Sequence, residues 1–246
     1  MKQLHIAHMR PAQQKIARAM PAIYVCEIKT QMKQTYTENL SGAKRRYGAK
    51  MGKIFCVIGK SGTGKDTVFK ALMEFGGLGL RGVVTYTTRP RRGGETDSIE
   101  YRFITDSQLE AFKNDGRIIE LRQYDTVRGV WSYCTVDDGQ IDLEAGNYLM
   151  IVTLAACESL VALFGKDAVV PLYIRVEDGL RLQRALDRER LSKNPDYKEM
   201  CRRFLADDVD FSAERLSNAS IAQYYDNDDI DRCAAQIRAD ILCQIK

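Results

Sequence analysis

The stretch Ile54-Phe55-Cys56-Val57-Ile58, then Gly59-Lys60-Ser61-Gly62-Thr63-Gly64-Lys65-Asp66-Thr67, then Val68 to Phe75, decides how this chain is built. It reads as an apolar strand, a glycine-rich turn and the start of an amphipathic helix. Glycine at 59, 62 and 64 permits backbone angles and close approach that a Cβ would forbid. The turn's N–H groups and the positive end of the following helix then face an anion, and Lys65 adds a point charge. The spacing Gly-x4-Gly-Lys is complete and predicts a triphosphate cradle formed by residues 59–67. The position after Lys65, usually a hydroxyl that ligates Mg2+, is Asp66. A carboxylate there can hold the cation directly or through water, but it also brings negative charge near the triphosphate, and Thr67 is an alternative phosphate contact.

The 246 residues have room for one large domain or two small ones. Hydrophobic residues make up 45% and charged residues 28%, the balance of a soluble globular chain. No apolar run approaches the roughly 20 residues that span a bilayer, so no membrane partner is expected. Seven cysteines lie scattered without Cys-x-x-Cys spacing, which predicts reduced thiols and a cytoplasmic setting. Both histidines, His5 and His8, fall in the first ten residues. The body therefore has no Ser-His-Asp or Cys-His chemistry and no His-ligated metal. That composition suits phosphoryl transfer, which needs positioning and charge more than a base.

Residues 1–50 hold ten Lys or Arg against Glu27 and Glu38, a net of +8, while the remainder holds 27 against 31, a net of −4. The overall +4 thus belongs to the N-terminus, and no nucleic-acid partner is expected for the body. The first 50 residues lack the apolar middle of a secretory signal, lack sustained periodicity and contain Pro11 and Pro21. They read as a poorly ordered basic extension, and a start at Met51 would cost the core nothing.

From Met51 onward short apolar runs alternate with helical patterns, the mark of a parallel sheet covered by helices on both faces. Strands are expected at 53–59, 83–87, 99–104, 118–124, 131–136, 148–153, 169–174 and 221–225. Helices are expected at 65–74, 106–114, 136–144, 155–164, 178–191, 197–213 and 229–245. Close strand spacing between residues 81 and 136 predicts an inserted β-rich lobe. The core then comprises 51–80 and 137–246.

Thr85-Tyr86-Thr87-Thr88-Arg89-Pro90-Arg91-Arg92-Gly93-Gly94-Glu95, followed by Tyr101-Arg102-Phe103, places three arginines and several hydroxyls on a Gly/Pro turn. Arginine's planar fork matches phosphate bidentately, so this is a second anion cradle. The stretch resembles the acceptor-binding motif of the guanylate kinase family, Ser-x-Thr-Thr-Arg-x-x-Arg-x-Gly-Glu and then Tyr-x-Phe, with Thr85 at its first serine. The resemblance implies a three-layer αβα P-loop NTPase fold with a central parallel sheet, a small β-rich acceptor-binding lobe and a helical arginine-rich lid. It further implies Mg2+–ATP as donor and GMP as acceptor. Arg89, Arg92 and Tyr101 would hold the acceptor phosphate, Glu95 would belong to the same motif, and Glu120 and Thr85 would read the base. Arg184, Arg188 and Arg203 would be lid arginines, within a lid spanning about 184–203, that act with Lys65 on the transferring group; Arg181 and Arg202 are near alternatives.

Three further departures accompany Asp66. In Trp131-Ser132-Tyr133-Cys134-Thr135, Ser132 aligns with the family's phosphate-binding tyrosine and Cys134 with its base-contacting hydroxyl, after a loop about three residues longer. The family's Asp-x-Asp at a strand end is here Ile151-Val152-Thr153. Losing those aspartates removes polar groups that reject wrong bases. Two alternatives therefore stay open. One is a related kinase acting on another nucleotide or a phosphorylated sugar. The other is a non-catalytic binding module.

Overall fold

In the computed structural model, residues 51–91, 95–126 and 129–245 are described; the extension 1–50 and Arg92 lie outside them. Five strands form one parallel sheet in the order β2 (Leu80–Gly82), β7 (Asn147–Ile151), β1 (Ile54–Ile58), β8 (Val169–Arg175) and β9 (Tyr225–Asp226). β1 lies at the centre, and every one of its residues is buried. Side chains alternate across a strand, so its successive residues serve different layers. Phe55 and Val57 pack on α1 (Lys65–Glu74) through Val68 and Leu72, and on α7 (Ile230–Ile245) through Cys233, Ile237 and Ile241. Ile54, Cys56 and Ile58 share the opposite layer with Leu154, Cys157, Leu160 and Phe164 of α3 (Leu154–Phe164). The result is the three-layer αβα arrangement expected from the sequence. Truncating a member such as Leu72 to alanine costs about 2–5 kcal/mol.

A second sheet runs β4 (Arg102–Phe103), β3 (Tyr86–Thr87), β6 (Gly129–Val136) and β5 (Ile118–Thr126), with α2 (Asp106–Asn114) against it. Tyr86, Leu109, Ile118, Cys134 and Val136 form its own small core. Thr105 and Gln108 close a reciprocal capping box at the start of α2. The remaining helices are α4 (Asp178–Arg190), α5 (Tyr197–Asp210) and α6 (Ala213–Asn218). No described helix is long and apolar enough to cross a membrane.

Several elements differ from the sequence expectation: β2 was not expected, and the strands expected at 99–104 and 221–225 are confined to Arg102–Phe103 and Tyr225–Asp226. The strand expected at 83–87 is split between the sheets. Val83 N–H still donates to Leu149 O of the main sheet, and the Gln140 side-chain amide then pairs with Val84 as a substitute neighbour before β3 begins. The helix expected at 136–144 is absent. The Asp138 carboxylate instead accepts from Tyr86, Arg102 and the Gln140 N–H, and Gly139 turns the chain at φ +84°. The single helix expected at 197–213 breaks at Phe211, because Ser212 caps the new helix α6 by accepting from Arg215 N–H.

Candidate active site

The glycine loop joins β1 to α1, and the structure explains each of its glycines. Gly59, Gly62 and Gly64 have φ of +154°, +80° and +82°. A Cβ at Gly62 would meet Arg181 O at 2.9 Å, and one at Gly64 would meet the Asn227 side-chain nitrogen at 2.6 Å. Asn227 lies just after β9, donates to Thr63 O at 2.8 Å and is itself buried. It holds the loop from behind. Arg184 of α4 donates to Asn227 O at 3.2 Å, so this lid-side arginine reaches the loop's support.

Lys65 turns back into the loop, where its ammonium donates to Gly59 O at 2.7 Å and Lys60 O at 2.8 Å. The residue is half-buried, yet its charged end is cut off from water. Desolvation pulls its pKa down to about 8; Asp207 and Asp66 oppose that shift, while Arg181 and Arg188 add to it. Asp66 and Thr67 are exposed on the first turn of α1. The donors here are hard oxygens, and Mg2+ is commonly held by one or two carboxylates plus substrate phosphates. Asp66 thus fits a cation that arrives with the nucleotide. Among the described residues no group of three or more His, Cys, Asp or Glu forms a separate metal site.

Helix α5 approaches the loop through acidic side chains. Asp207 accepts from Ser61 N–H at 2.7 Å, and Asp208 accepts from Lys60 Nζ at 2.6 Å. Between them runs Arg181, which is fully buried; it donates to Ser61 O at 3.0 Å, pairs with Asp178 and Asp207, and stacks 4.4 Å over Phe204. Arg181 is therefore a structural strut between α4, α5 and the loop. Arg188 is exposed but its charge reaches Lys65. Arg203 lies 3.6 Å from Glu199, and Arg202 forms a forked pair with the same carboxylate. Of the three expected lid arginines, Arg184 is tied to the loop's support through Asn227, Arg188 stays exposed on the same helix, and Arg203 pairs with Glu199. A cleft of about 490 Å³ opens beside Lys60, Thr63, Arg175, Asp178 and Asp226. It lies apart from Lys65, Arg89 and Glu120, and we assign no chemistry to it.

In the lobe, Arg89 is buried, and its fork closes on Glu95 at 2.6 and 2.8 Å, with its guanidinium 4.9 Å above the Tyr101 ring. Burial alone would lower the Arg89 pKa, but the Glu95 carboxylate more than offsets it. Burial raises the Tyr101 phenol and Tyr133 adds to the shift, while Arg89 and Arg122 oppose it. Thr85 is buried at the entry to β3. Glu120 is also buried, and its carboxylate accepts from Thr135 at 3.2 Å and from Arg122 at 3.0 and 3.3 Å.

The alignment of Ser132 and Cys134 with the two ligand-facing positions is corrected. Cys134 lies in the lobe's core beside Tyr86, and burial pushes its thiol up to about 12. Ser132 faces Gln123 and Thr88. The neighbouring residues lie on the other face of β6: Tyr133 packs edge-on against Tyr101 and Tyr124, and Thr135 bonds Glu120. Strand alternation carried that information, because Tyr133 and Thr135 share a parity that the longer loop shifted by one. Arg122 was missed altogether, although it stands two residues from Glu120 on the same strand.

Loop, sheet order and layers together define a P-loop NTPase fold with a second, β-rich lobe. The family model described as guanylate kinase matches residues 51–133. A guanylate kinase from Symbiobacterium thermophilum is 27% identical over 198 residues, covering 78% of this chain and 86% of that protein. One from Oceanobacillus iheyensis is 40% identical over 73 residues, and one from Neisseria gonorrhoeae is 34% identical over 103. Those two matches cover 30% and 42% of this chain, and 35% and 48% of the relatives' own lengths. A solved guanylate kinase from Anaplasma phagocytophilum shares the fold at TM-score 0.53 and 21% identity, covering 80% of this chain and 88% of that one. By these matches the chain is similar to guanylate kinases, over its first part in the family model and over most of its length in the more distant relative and the solved structure.

Proposed function

We propose that this chain transfers the γ-phosphoryl group of Mg2+–ATP to GMP, giving ADP and GDP. The observation that carries the reading is the built glycine loop, where Lys65 donates to Gly59 O and Lys60 O inside a turn of positive-φ glycines, together with a second basic site in the lobe, Arg89 over Tyr101. In this reading residues 59–67 hold the triphosphate, with Lys65 trading its loop carbonyls for phosphate oxygens. Arg89 exchanges Glu95 for the acceptor phosphate, Arg92 and Tyr101 assist, and Thr85 and Glu120 face the base. Asp66 would hold the cation, which would supply neutralising charge to the phosphates.

An acceptor phosphate oxygen attacks the γ-phosphorus as the bond to the β-bridging oxygen breaks, and ADP carries the leaving charge. No general base is needed, because the acceptor oxygen is already anionic at neutral pH. Arg184 and Arg188, with Arg203 brought in by movement of α5, stabilise charge on the transferring group. The segment around 184–203 is the lid and 81–136 the acceptor lobe. The four buried thiols Cys56, Cys134, Cys157 and Cys233 are unpaired, which fits a reducing cytoplasmic setting.

The test follows a γ-labelled phosphate from ATP into a panel of nucleoside and sugar monophosphates. Label in GDP is the expected outcome. Label only in another acceptor would replace GMP, and nucleotide binding without label transfer would leave a binding module.

A further inference from the structure

Glu120 and Arg122 stand two residues apart on β5 and so share one face of the strand. Both Glu120 oxygens are engaged: one by Thr135 at 3.2 Å and an Arg122 terminal nitrogen at 3.3 Å, the other by Arg122 Nε at 3.0 Å. The Glu120 side chain is only 3% exposed, whereas that of Arg122 is 20% exposed and is the member of the pair that reaches solvent. Arg122 Nη1 also donates to Thr153 Oγ1 at 3.1 Å, and Thr153 caps α3. The guanidinium is thus fixed between the lobe and the main sheet, 5.9 Å from the Tyr133 ring. A guanidinium has five N–H donors. Three are used here, which leaves two for a ligand.

We propose that Arg122 is the residue that selects the acceptor base, and that the cleft takes 6-oxopurine nucleoside monophosphates by their acceptor edge. This rests on the phosphoryl-transfer reading above. A guanidinium fork matches the paired O6 and N7 acceptors of a 6-oxopurine, whereas adenine places an amino donor at that edge. The 2-amino group that separates guanine from hypoxanthine needs a carboxylate acceptor, and three of the roughly four lone-pair sites of Glu120 are taken by Arg122 and Thr135, with one left on Oε2. The site therefore separates 6-oxo from 6-amino purines more strongly than GMP from IMP.

The experiment measures calorimetric binding and ADP release with GMP, IMP and AMP on the full chain, on Arg122→Ala and on Arg122→Lys. In the unaltered chain GMP and IMP should agree within about threefold, and AMP should be weaker by about 100-fold or more, the penalty for unpaired donors. Arg122→Ala frees Glu120, so the GMP:IMP ratio should rise by about tenfold while the preference over AMP shrinks. Arg122→Lys keeps the charge without the fork and should lose most of the preference over AMP. A merely structural arginine would weaken all three nucleotides alike, and unchanged ratios in both variants would overturn the proposal. So would an unaltered chain that prefers GMP over IMP by two orders of magnitude, although transfer to GMP would then stand. If nothing is phosphorylated but the binding ratios follow the pattern, the transfer reading fails and the selectivity remains. If none of the three nucleotides binds, both fail.

Discussion

Gly64→Ala probes how the loop is held. Gly64 has φ +82°, and a Cβ there would lie 2.6 Å from the Asn227 side-chain nitrogen, which donates a 2.8 Å bond to Thr63 O. Two costs arise. Holding alanine in the left-handed region costs about 1–2 kcal/mol. Displacing a buried Asn227 leaves its amide and the Thr63 carbonyl unsatisfied, adding about 1–3 kcal/mol. The expected loss is about 2–5 kcal/mol. Gly79→Ala supplies the control, because Gly79 also has positive φ, +59°, but a Cβ there meets nothing within 4 Å. Only the backbone cost applies to it. Urea unfolding of both variants and the parent reads the difference directly as a shift of midpoint at constant slope. Gly64→Ala should be the less stable of the two by about 1–3 kcal/mol and should also bind ATP more weakly. Equal losses at the two positions would refute Asn227 as the loop's rigid support.

Three further outcomes follow from the site. Lys65 must be protonated to meet phosphate, and its pKa in the unliganded protein is about 8, set mainly by desolvation. ATP affinity measured by calorimetry should be flat below that pH and weaken by up to tenfold per pH unit above it, whereas a flat profile to pH 9.5 would remove Lys65 from the phosphate site. The same shift bears on folding: the unfolded lysine holds its proton to higher pH, so Lys65 makes stability rise between about pH 8 and 10. Asp66→Asn should raise the Mg2+ concentration needed for half-maximal ADP release and, because Asp66 is exposed, should leave the urea midpoint within about 0.5 kcal/mol; unchanged Mg2+ dependence would assign the cation to the phosphates alone. Asp207→Ala leaves Ser61 N–H unsatisfied and Arg181 with one close carboxylate fewer, so thermal unfolding should show a loss of about 1–3 kcal/mol, and an unaltered transition would deny α5 its hold on the loop.

Much of this arrangement was legible in the chain because local signals and tertiary structure agree. The glycine spacing marks the turn, and α1 and α2 span the residues where the helical periodicity places them. What escaped the sequence depends on partners far along the chain. Asp137-Asp138-Gly139 looked like the start of a helix, but Asp138 is claimed by Tyr86 and Arg102 from two other strands. Arg181, Arg184 and Arg188 share one helix face, and only burial separates a strut from a lid arginine: Arg181 lies wholly inside and Arg188 stays in solvent. The ligand-facing parity of Tyr133 and Thr135 depended on a loop length that one sequence does not calibrate. Arg122 has no counterpart in the matched motif, so only its contacts with Glu120 and Thr153 disclose it.

The most direct measurement of the central claim is ADP release from Mg2+–ATP, with and without GMP, by the full chain and by Lys65→Ala. GMP-dependent release that falls by about 100-fold or more when the lysine is removed is the predicted result, since Lys65 supplies the loop's point charge to the transferring phosphate. A rate that needs no acceptor, or that survives the loss of Lys65, would contradict the account.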